Sequence, residues 1–266
     1  MGKGCIQMTL IQIDNYGPWT LSLGSGREPE LQILQSELYA DIQRLFSSKG
    51  GFVFYGRFDN MLAITNGINV DDHKEIQERV CQRFPVTISL GIGVGEYPTE
   101  AQENATRALQ TQGSSQLEER RKVLAVEGQL ATVDDGFVQI AHVDVNDSTA
   151  KITDNIPVYD AFMTMLKVHE ILTREFREKK ALVFFAGGDN FLVVSNGLRE
   201  AEYEEVLETA SRQVDLELKA GVGIGRSAIE ALKLASQSLD RARASKENGF
   251  IQILTTPPVE NKLWRR

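Results

Sequence analysis

Apolar and polar residues alternate along some segments of the chain and recur at helical spacing along others. Residues 5–13 alternate and end at a turn signal, Asp14 to Pro18, which predicts a strand followed by a loop. Leucine and isoleucine then recur every three or four positions across residues 31–45, as in an amphipathic helix. The apolar runs 51–55 and 61–65 flank a polar turn, which predicts a hairpin.

The rest of the chain continues this order of elements. A helix over 71–81, a strand over 86–94 and a helix opened by Thr99 complete the first half. The second half is predicted to contain a strand over 137–143, a helix over 158–176, a hairpin of 182–185 and 191–194, a helix over 203–214, a strand over 216–224, a helix capped by Ser227 and Glu230, and a short strand over 250–254. Each half is therefore β-α-β-β-α-β plus a helix. This order predicts an α+β fold of two tandem ferredoxin-like, palm-like domains, each a mostly antiparallel sheet with helices on one face.

The two halves repeat each other at a constant offset of 130 residues. Asp144 follows Asp14 by this offset, and Asp189 follows Asp59 by the same offset. The predicted domains are an N-terminal palm-like domain over 1–112, a charged helical connector over 113–133 and a C-terminal palm-like domain over 134–266. A domain of this size is large enough to bury a core without disulfide bonds or a structural metal.

Composition and charge exclude several classes of protein. The chain has 266 residues, of which 42% are hydrophobic and 25% charged, as is ordinary for a globular protein. The formal net charge of −8 provides no general basic field, so neither nucleic acid nor an acidic membrane is expected as a partner. Two cysteines without a CxxC pair and three scattered histidines offer no zinc-ligand spacing. Since no apolar run approaches the roughly 20 residues of a membrane span, we expect a cytoplasmic protein.

Two aspartates in each half directly follow or join strand-like runs. The first and third strands of this topology are adjacent and central, so we expect Asp14 to lie near Asp59 and Asp144 to lie near Asp189. Paired carboxylates on a rigid scaffold are suited to holding Mg²⁺ against nucleotide phosphates. Aspartate is also common as a turn cap, and that alternative remains open for both pairs.

The second predicted hairpin carries a glycine pair before its aspartate. Gly187 and Gly188 allow the backbone to approach a phosphate or a base closely. Together with Asp144 upstream, Asp189 resembles the paired acids of diguanylate cyclases, which carry a GG[DE]EF hairpin, and of class III nucleotidyl cyclases. Asn190 replaces the acid that follows in that motif, so ordinary diguanylate cyclase chemistry is not expected.

The first hairpin has Arg57 and Phe58 where the second has its two glycines. An arginine can pair with phosphate oxygens in a bidentate way, and a phenylalanine can stack on a purine. The alternatives are a solvated turn arginine and a phenylalanine buried in an interface.

Two glycine-rich segments, 91–95 and 221–225, each run into a predicted helix. Such turns suit anion binding, but alternate glycines in a strand also make room for a packed helix, and we favour the second interpretation. Arg226 and Lys219 are better phosphate candidates than these glycines.

Across nearly its whole length the sequence resembles the archaeal GTP cyclohydrolase III family. The motifs that carry the resemblance are Gln12-Ile13-Asp14-Asn15-Tyr16-Gly17-Pro18-Trp19, Arg57-Phe58-Asp59-Asn60, Ala63-Ile64-Thr65-Asn66-Gly67-Ile68, Gly187-Gly188-Asp189-Asn190-Phe191 and Leu218-Lys219-Ala220-Gly221-Val222-Gly223-Ile224-Gly225-Arg226. The resemblance implies two palm-like domains in a homodimer or homotetramer, a requirement for Mg²⁺ and activation by a monovalent cation such as K⁺.

The implied reaction is hydrolysis of GTP at C8. The imidazole ring opens, the formyl group is retained, and two orthophosphates leave, which gives 2-amino-5-formylamino-6-(5-phosphoribosylamino)pyrimidin-4(3H)-one for flavin and deazaflavin biosynthesis. This is a hydrolase acting on C–N bonds of cyclic amidines. Two alternatives remain open: a nucleotidyl cyclase or other metal-dependent nucleotidyl transferase, which releases pyrophosphate, and a non-catalytic nucleotide sensor.

Together with this resemblance, the motifs predict the roles of a small set of residues. The predicted metal-binding and catalytic residues are Asp144 and Asp189 first, and Asp14 and Asp59 second. The predicted nucleotide-binding residues are Asn15 and Asn190 for the base or ribose, Arg57, Lys219 and Arg226 for the phosphates, Phe58 for stacking on the purine, and Gly187 and Gly188 for close approach.

Overall fold

The chain folds into two compact units that repeat one architecture. The computed structural model describes residues 5–130, 136–244 and 251–256. The first unit comprises Met1–Glu96 and Glu100–Gly136, and the second comprises Tyr97–Thr99 and Phe137–Arg266.

The first unit contains five strands and four helices among its described residues. In chain order they are β1 (Ile6–Ile13), α1 (Tyr16–Ser22), α2 (Glu28–Ser47), β2 (Phe52–Arg57), β3 (Asn60–Ile64), α3 (Val70–Arg83), β4 (Ile88–Gly95), α4 (Pro98–Gln110) and β5 (Leu124–Glu127). The short helix α1 occupies the segment for which the sequence predicts a loop.

The second unit has the same order, with a short π-helical turn in place of α1. In chain order its elements are β6 (Val138–Val145), the π-helical turn (Thr149–Thr153), α5 (Val158–Glu178), β7 (Leu182–Gly187), β8 (Asn190–Val194), α6 (Glu200–Val214), β9 (Leu218–Gly225), α7 (Ala228–Ala244) and β10 (Ile251–Thr255). The final predicted strand is thus confirmed from residue 251; residue 250 lies outside the described residues.

Each unit forms one five-stranded sheet with the predicted ferredoxin-like order. The orders are β2-β3-β1-β4-β5 and β7-β8-β6-β9-β10. The first four strands of each unit pair antiparallel, so β1 and β6 are central and flanked by β3 and β8. The strands β5 and β10 add a parallel edge. The predicted α+β class and the adjacency of the first and third strands are therefore confirmed.

The main core of each unit lies on one face of its sheet. In the second unit Val143 of β6 and Val222 of β9 pack with Val168 of α5 and Leu207 of α6, all fully buried. Because side chains alternate across a strand, the neighbours of these core residues, including Asp144, lie on the opposite face.

That opposite face carries α4 in the first unit and α7 in the second, whereas the sequence predicts helices on one face. A Cβ added to Gly221 would lie 2.0 Å from the backbone nitrogen of Leu239, and one added to Gly223 would lie 2.0 Å from the carbonyl oxygen of Ala231. A Cβ added to Gly93 would likewise lie 2.1 Å from the backbone nitrogen of Ala105 in α4. The alternate glycines therefore admit a helix backbone onto the strand, and the packing interpretation of both glycine rows is confirmed.

This close approach predicts a large cost for one methyl group. Gly223→Ala is expected to lower the free energy of unfolding by about 3 kcal/mol, because the new Cβ meets rigid helix backbone and α7 must move away. Gly17→Ala is the matched control: the nearest atom to its Cβ is 3.8 Å away on a glutamine side chain. Urea unfolding of both variants measures the difference, and equal stabilities would contradict the packing argument.

The prediction of a helical connector over 113–133 is wrong for the residues that the structure describes. No helix follows α4 before residue 130, and Leu124–Glu127 instead form β5 against β4. Tertiary contacts override the helix-favouring composition: the backbone nitrogen of Lys122 donates to the carboxylate of Asp14, and Lys122 has a positive φ of 53°. The predicted boundary at residues 133 and 134 lies outside the described residues.

Candidate active site

The second-unit aspartates meet at the end of the central strand, as predicted. Asp144 pairs across the sheet with Asn190 of β8 on one side and with Lys219 of β9 on the other. Asp189 immediately precedes β8 in the hairpin, and its charge contributes to raising the pKa of Asp144. The two carboxylates therefore lie at the same end of the sheet, where Asp144 faces α7 and Asp189 lies in the hairpin.

Asp144 is a buried carboxylate with one charged neighbour on α7. Arg243, in the last turn of that helix, donates from Nε to Oδ2 of Asp144 at 3.2 Å and places Nη2 2.6 Å from Oδ1. The second contact lacks hydrogen-bond geometry, so the buried Oδ1 accepts no directed hydrogen bond from the described residues. Burial raises the pKa of Asp144, and Arg243 only partly opposes that effect.

Asp189 is held by two side chains, one of which is oriented by a histidine. Ser148, in the loop after β6, donates to its Oδ2. Asn190 donates from Nδ2 to its Oδ1 at 2.8 Å, and His142 Nε2 lies 2.8 Å from Oδ1 of Asn190. His142 thereby orients the amide that orients the aspartate.

The glycine pair of the hairpin is required by backbone geometry. Gly187 and Gly188 have φ values of 101° and 63°, a region that other residues rarely adopt. A Cβ on Gly187 would meet nothing within 4 Å, so the conformation, rather than space, demands glycine. The turn leaves Gly188 exposed beside Asp189.

The corresponding aspartate of the first unit has a different environment. The side chain of Asp14 is fully buried and accepts from Thr87 Oγ1 at 2.7 Å, Ser89 Oγ at 2.5 Å and the nitrogen of Lys122 at 2.9 Å. Arg120, itself buried, lies 3.6 Å from Oδ1. Both oxygens of Asp14 are therefore engaged within the unit.

Asp59 is turned towards its own hairpin. Arg57 contacts it twice, from Nε at 3.1 Å and from Nη2 at 2.6 Å. Burial opposes ionisation of Asp59, but hydrogen bonds from Arg57 and Asn60 outweigh it and lower its pKa. Arg57 is largely exposed and Phe58 half-exposed, the latter packing edge-on against Tyr55.

The remaining predicted nucleotide-binding residues divide between the two ends of their strands. Lys219 lies beside Asp144. Arg226 follows the other end of β9, where Val138 pairs with Gly225, so about seven residues of extended chain, roughly 23 Å, separate it from Lys219. The strand therefore carries Arg226 to the opposite end of the sheet from Asp144, and its role as a phosphate ligand stays a prediction. Asn15 adopts a left-handed conformation in the first unit, next to Asp14.

A cavity of about 410 Å³ lies against Asp189, within the size range of small-molecule sites. Phe162 and Met165 of α5 and Phe185 of β7 form its apolar walls, and Ser148 and Asp189 form part of its polar rim. Asp189 is predicted from the sequence, whereas Ser148, the apolar wall residues and Arg243 are not. The lengths of α7 and β9 indicate where Arg243 lies. The helix spans about 25 Å and runs back along β9, which spans about 26 Å, so its last turn reaches the strand end beside Asp144.

The second unit offers two carboxylates at one strand end as donors for a cation. The charge of Asp189 acts on Asp144, and the buried Oδ1 of Asp144 faces Arg243 Nη2 at 2.6 Å without a directed hydrogen bond. In the described part of the chain no three His, Cys, Asp or Glu side chains form a metal-binding group. Two carboxylates are a donor set that Mg²⁺ can use when water and substrate phosphates complete its shell.

Comparison with solved structures finds cyclase domains at low overall similarity. A GGEEF domain of a diguanylate cyclase from Vibrio cholerae matches with 12% identity and a TM-score of 0.38, over 44% of this chain and 82% of that one. A bacterial light-regulated adenylyl cyclase matches with 14% identity and a TM-score of 0.39, over 96% and 87% of the two chains.

Sequence comparison is far more specific. The sequence model of the GTP cyclohydrolase III family matches residues 8–256. GTP cyclohydrolase III of Methanothermobacter thermautotrophicus is 45% identical over 94% of this chain and 99% of its own length. That of Methanocaldococcus jannaschii is 48% identical over 90% of this chain and 88% of its own. The chain belongs to the GTP cyclohydrolase III family.

Proposed function

We propose that the protein is a GTP cyclohydrolase whose catalytic centre lies in the second unit, at Asp144 and Asp189. Membership of the family supports the activity, and the convergence of these two carboxylates at one strand end supports the place. Asp14 and Asp59 are the weaker candidates, because the side chain of Asp14 is fully buried among hydrogen-bond donors of the first unit and Asp59 is paired with Arg57.

The proposed reaction is the ring opening that characterises the family resemblance. One water adds at C8 of the guanine, the C8–N9 bond breaks, and the formyl group stays on N7. Two further waters cleave the two phosphoanhydride bonds and release two orthophosphates. Mg²⁺ held by Asp144 and Asp189 would neutralise phosphate charge and lower the pKa of a bound water.

The residues around the aspartates have separate tasks in this proposal. Ser148 and Asn190 fix the rotamer of Asp189, so that its orientation is set before substrate arrives. The glycine hairpin lets a phosphate approach the backbone beside Asp189. Lys219, next to Asp144 in the sheet, supplies positive charge for the phosphates.

The guanine is proposed to enter the cavity beside Asp189. Its aromatic walls, Phe162 and Phe185, are both partly exposed and suit the faces of a purine. This arrangement places the base on one side of Asp189 and the phosphates on the other. K⁺ as an activator stays a proposal taken from the family resemblance.

A cytoplasmic location and self-association complete the proposal. In the part of the chain that the structure describes, no helix combines the length and the apolarity that a membrane span requires. On α5 the side chains of Val158, Tyr159 and Met163 are at least half exposed, which supports an interface with a second copy. Light scattering that returned the monomer mass at working concentration would contradict self-association.

Product analysis tests the activity. The protein is incubated with GTP, Mg²⁺ and K⁺, and the mixture is examined by mass spectrometry and a phosphate assay, with EDTA in a parallel sample. We expect a formamidopyrimidine nucleoside monophosphate with two orthophosphates per GTP, and no product with EDTA. Cyclic GMP or a dinucleotide with pyrophosphate would assign a cyclase instead, and intact GTP with measurable binding would assign a sensor.

A further inference from the structure

In both units an arginine contacts the aspartate of the central strand, but the two arginines occupy unrelated positions in the repeat. Arg120 follows α4 by ten residues, whereas Arg243 lies in the last turn of α7. At the repeat offset of 130, Arg243 corresponds to Gly113 and not to Arg120. Each unit therefore supplies this cation in its own way, which indicates that the buried carboxylate requires one.

The contact in the first unit is closed. Arg120 has 4% of its side chain exposed, and the side chain of Asp14 is fully buried. Two hydroxyl groups, from Thr87 and Ser89, and the backbone nitrogen of Lys122 occupy the remaining acceptor positions of Asp14. Both oxygens of this carboxylate are therefore held by groups of the first unit, although Asp14 lines a cavity of about 280 Å³ and Arg120 lines another of about 630 Å³.

The contact in the second unit is open. The side chain of Arg243 is 43% exposed. Glu217 and Lys219 stand at the positions of the two hydroxyl residues of the first unit. Glu217 instead accepts a hydrogen bond from Asn146 at 2.9 Å, and Nζ of Lys219 lies 3.7 Å from Glu217. Arg243 is therefore the cation whose contact with Asp144 is observed.

We propose that Arg243 is a displaceable counter-cation: it neutralises Asp144 while no divalent ion is bound, and it moves to the nucleotide phosphates when the ion enters. The proposal rests on the assignment of Asp144 and Asp189 as metal ligands. It makes Arg243 a residue that couples the binding of the ion to the binding of the triphosphate.

Charge and geometry support both halves of this exchange. The guanidinium of Arg243 lies 2.6 Å from the Asp144 oxygen that lacks a directed hydrogen bond, so a divalent ion at that oxygen is repelled by the arginine at close range. An exposed arginine on the last turn of a helix has the reach to swing away, and its planar fork pairs with phosphate oxygens in a bidentate way.

The test measures binding of Mn²⁺ alone, as a spectroscopic probe for Mg²⁺, by electron paramagnetic resonance. In Arg243→Gln the Kd for Mn²⁺ is expected to fall at least about fivefold relative to the wild type, since the competing cation is gone. Arg241→Gln is the matched control, because Arg241 is exposed on the same turn. The Kd of this variant for Mn²⁺ is expected to stay at the wild-type value. An unchanged or higher Kd in folded Arg243→Gln, or no Mn²⁺ binding in that variant, overturns the proposal.

A second variant covers the case in which Arg243→Gln does not fold. Arg243→Lys keeps the charge and loses the bidentate fork. Its Kd for Mn²⁺ stays within about twofold of wild type, while the tightening of Mn²⁺ binding by a non-hydrolysable GTP analogue shrinks about fivefold or more. Undiminished tightening contradicts the transfer of the arginine to the phosphates.

The same binding assay separates this inference from the proposed function. If Asp144→Asn and Asp189→Asn bind Mn²⁺ as tightly as the wild type, the metal assignment fails and the counter-cation proposal fails with it. If both aspartate variants lose Mn²⁺ but Arg243→Gln matches the wild type, the metal assignment stands and only the role of Arg243 is wrong.

Discussion

Asp144→Asn and Asp189→Asn are each expected to lower kcat for GTP by about 10² to 10³ while the fold is retained. Each change removes one carboxylate oxygen from the proposed ion site, and charge stabilisation of this kind contributes several kcal/mol to a transition state. The fold is expected to survive because burial already disfavours the charge of Asp144, as its raised pKa shows, and an isosteric amide removes that cost. Asp189 is half-buried at a hairpin, where asparagine is readily accommodated.

Steady-state product formation and circular dichroism measure the two parts of this prediction. Asp147→Asn is the control, since Asp147 is exposed three residues beyond Asp144 and has a left-handed conformation that asparagine also adopts. It should match the wild type in both measurements. Wild-type turnover in either Asp144→Asn or Asp189→Asn would remove the carboxylates from the mechanism.

Asp14→Asn, the same change 130 residues earlier, is expected to cost stability: the free energy of unfolding of the first unit falls by about 3 to 5 kcal/mol. The amide brings a donor to face the hydroxyls of Thr87 and Ser89 and the nitrogen of Lys122, all of which donate to Asp14. It also leaves the buried Arg120 without its counter-charge.

Hydrogen exchange resolved by segment measures this second effect, because two units need not unfold in one transition. Exchange should accelerate across β1 and stay unchanged across β6. Asp71→Asn serves as the control: that side chain is 91% exposed in a surface ion pair, and its removal should alter stability by less than about 1 kcal/mol. If Asp14→Asn lost activity with full stability, Asp14 would return as a metal ligand.

Periodicity and the internal repeat were sufficient to predict most of the fold. Local pattern specifies which side of a strand or helix is apolar, and that is enough to order the elements and to place Asp144 and Asp189 at adjacent strand ends. The local pattern did not predict β5, although it predicted the corresponding strand β10. Gly91 pairs with Ala125 and Gly221 with Gln252, so the offset has slipped from 130 to 127 at the last strand. The charged residues before β5 concealed this strand and favoured the prediction of a helix.

The sequence alone determined the repeat, the fold class, the family resemblance and the two aspartate pairs. Only the tertiary structure distinguished those pairs. The carboxylate of Asp14 accepts hydrogen bonds from Thr87 and Ser89, which lie 73 and 75 residues away in the chain. Asp144 instead contacts Arg243, which lies 99 residues away. Such partners leave no local pattern, because they are brought together by strand pairing and by a helix that returns along its strand. The same aspartate in the same motif is thereby part of a closed core in one unit and of an accessible charged site in the other.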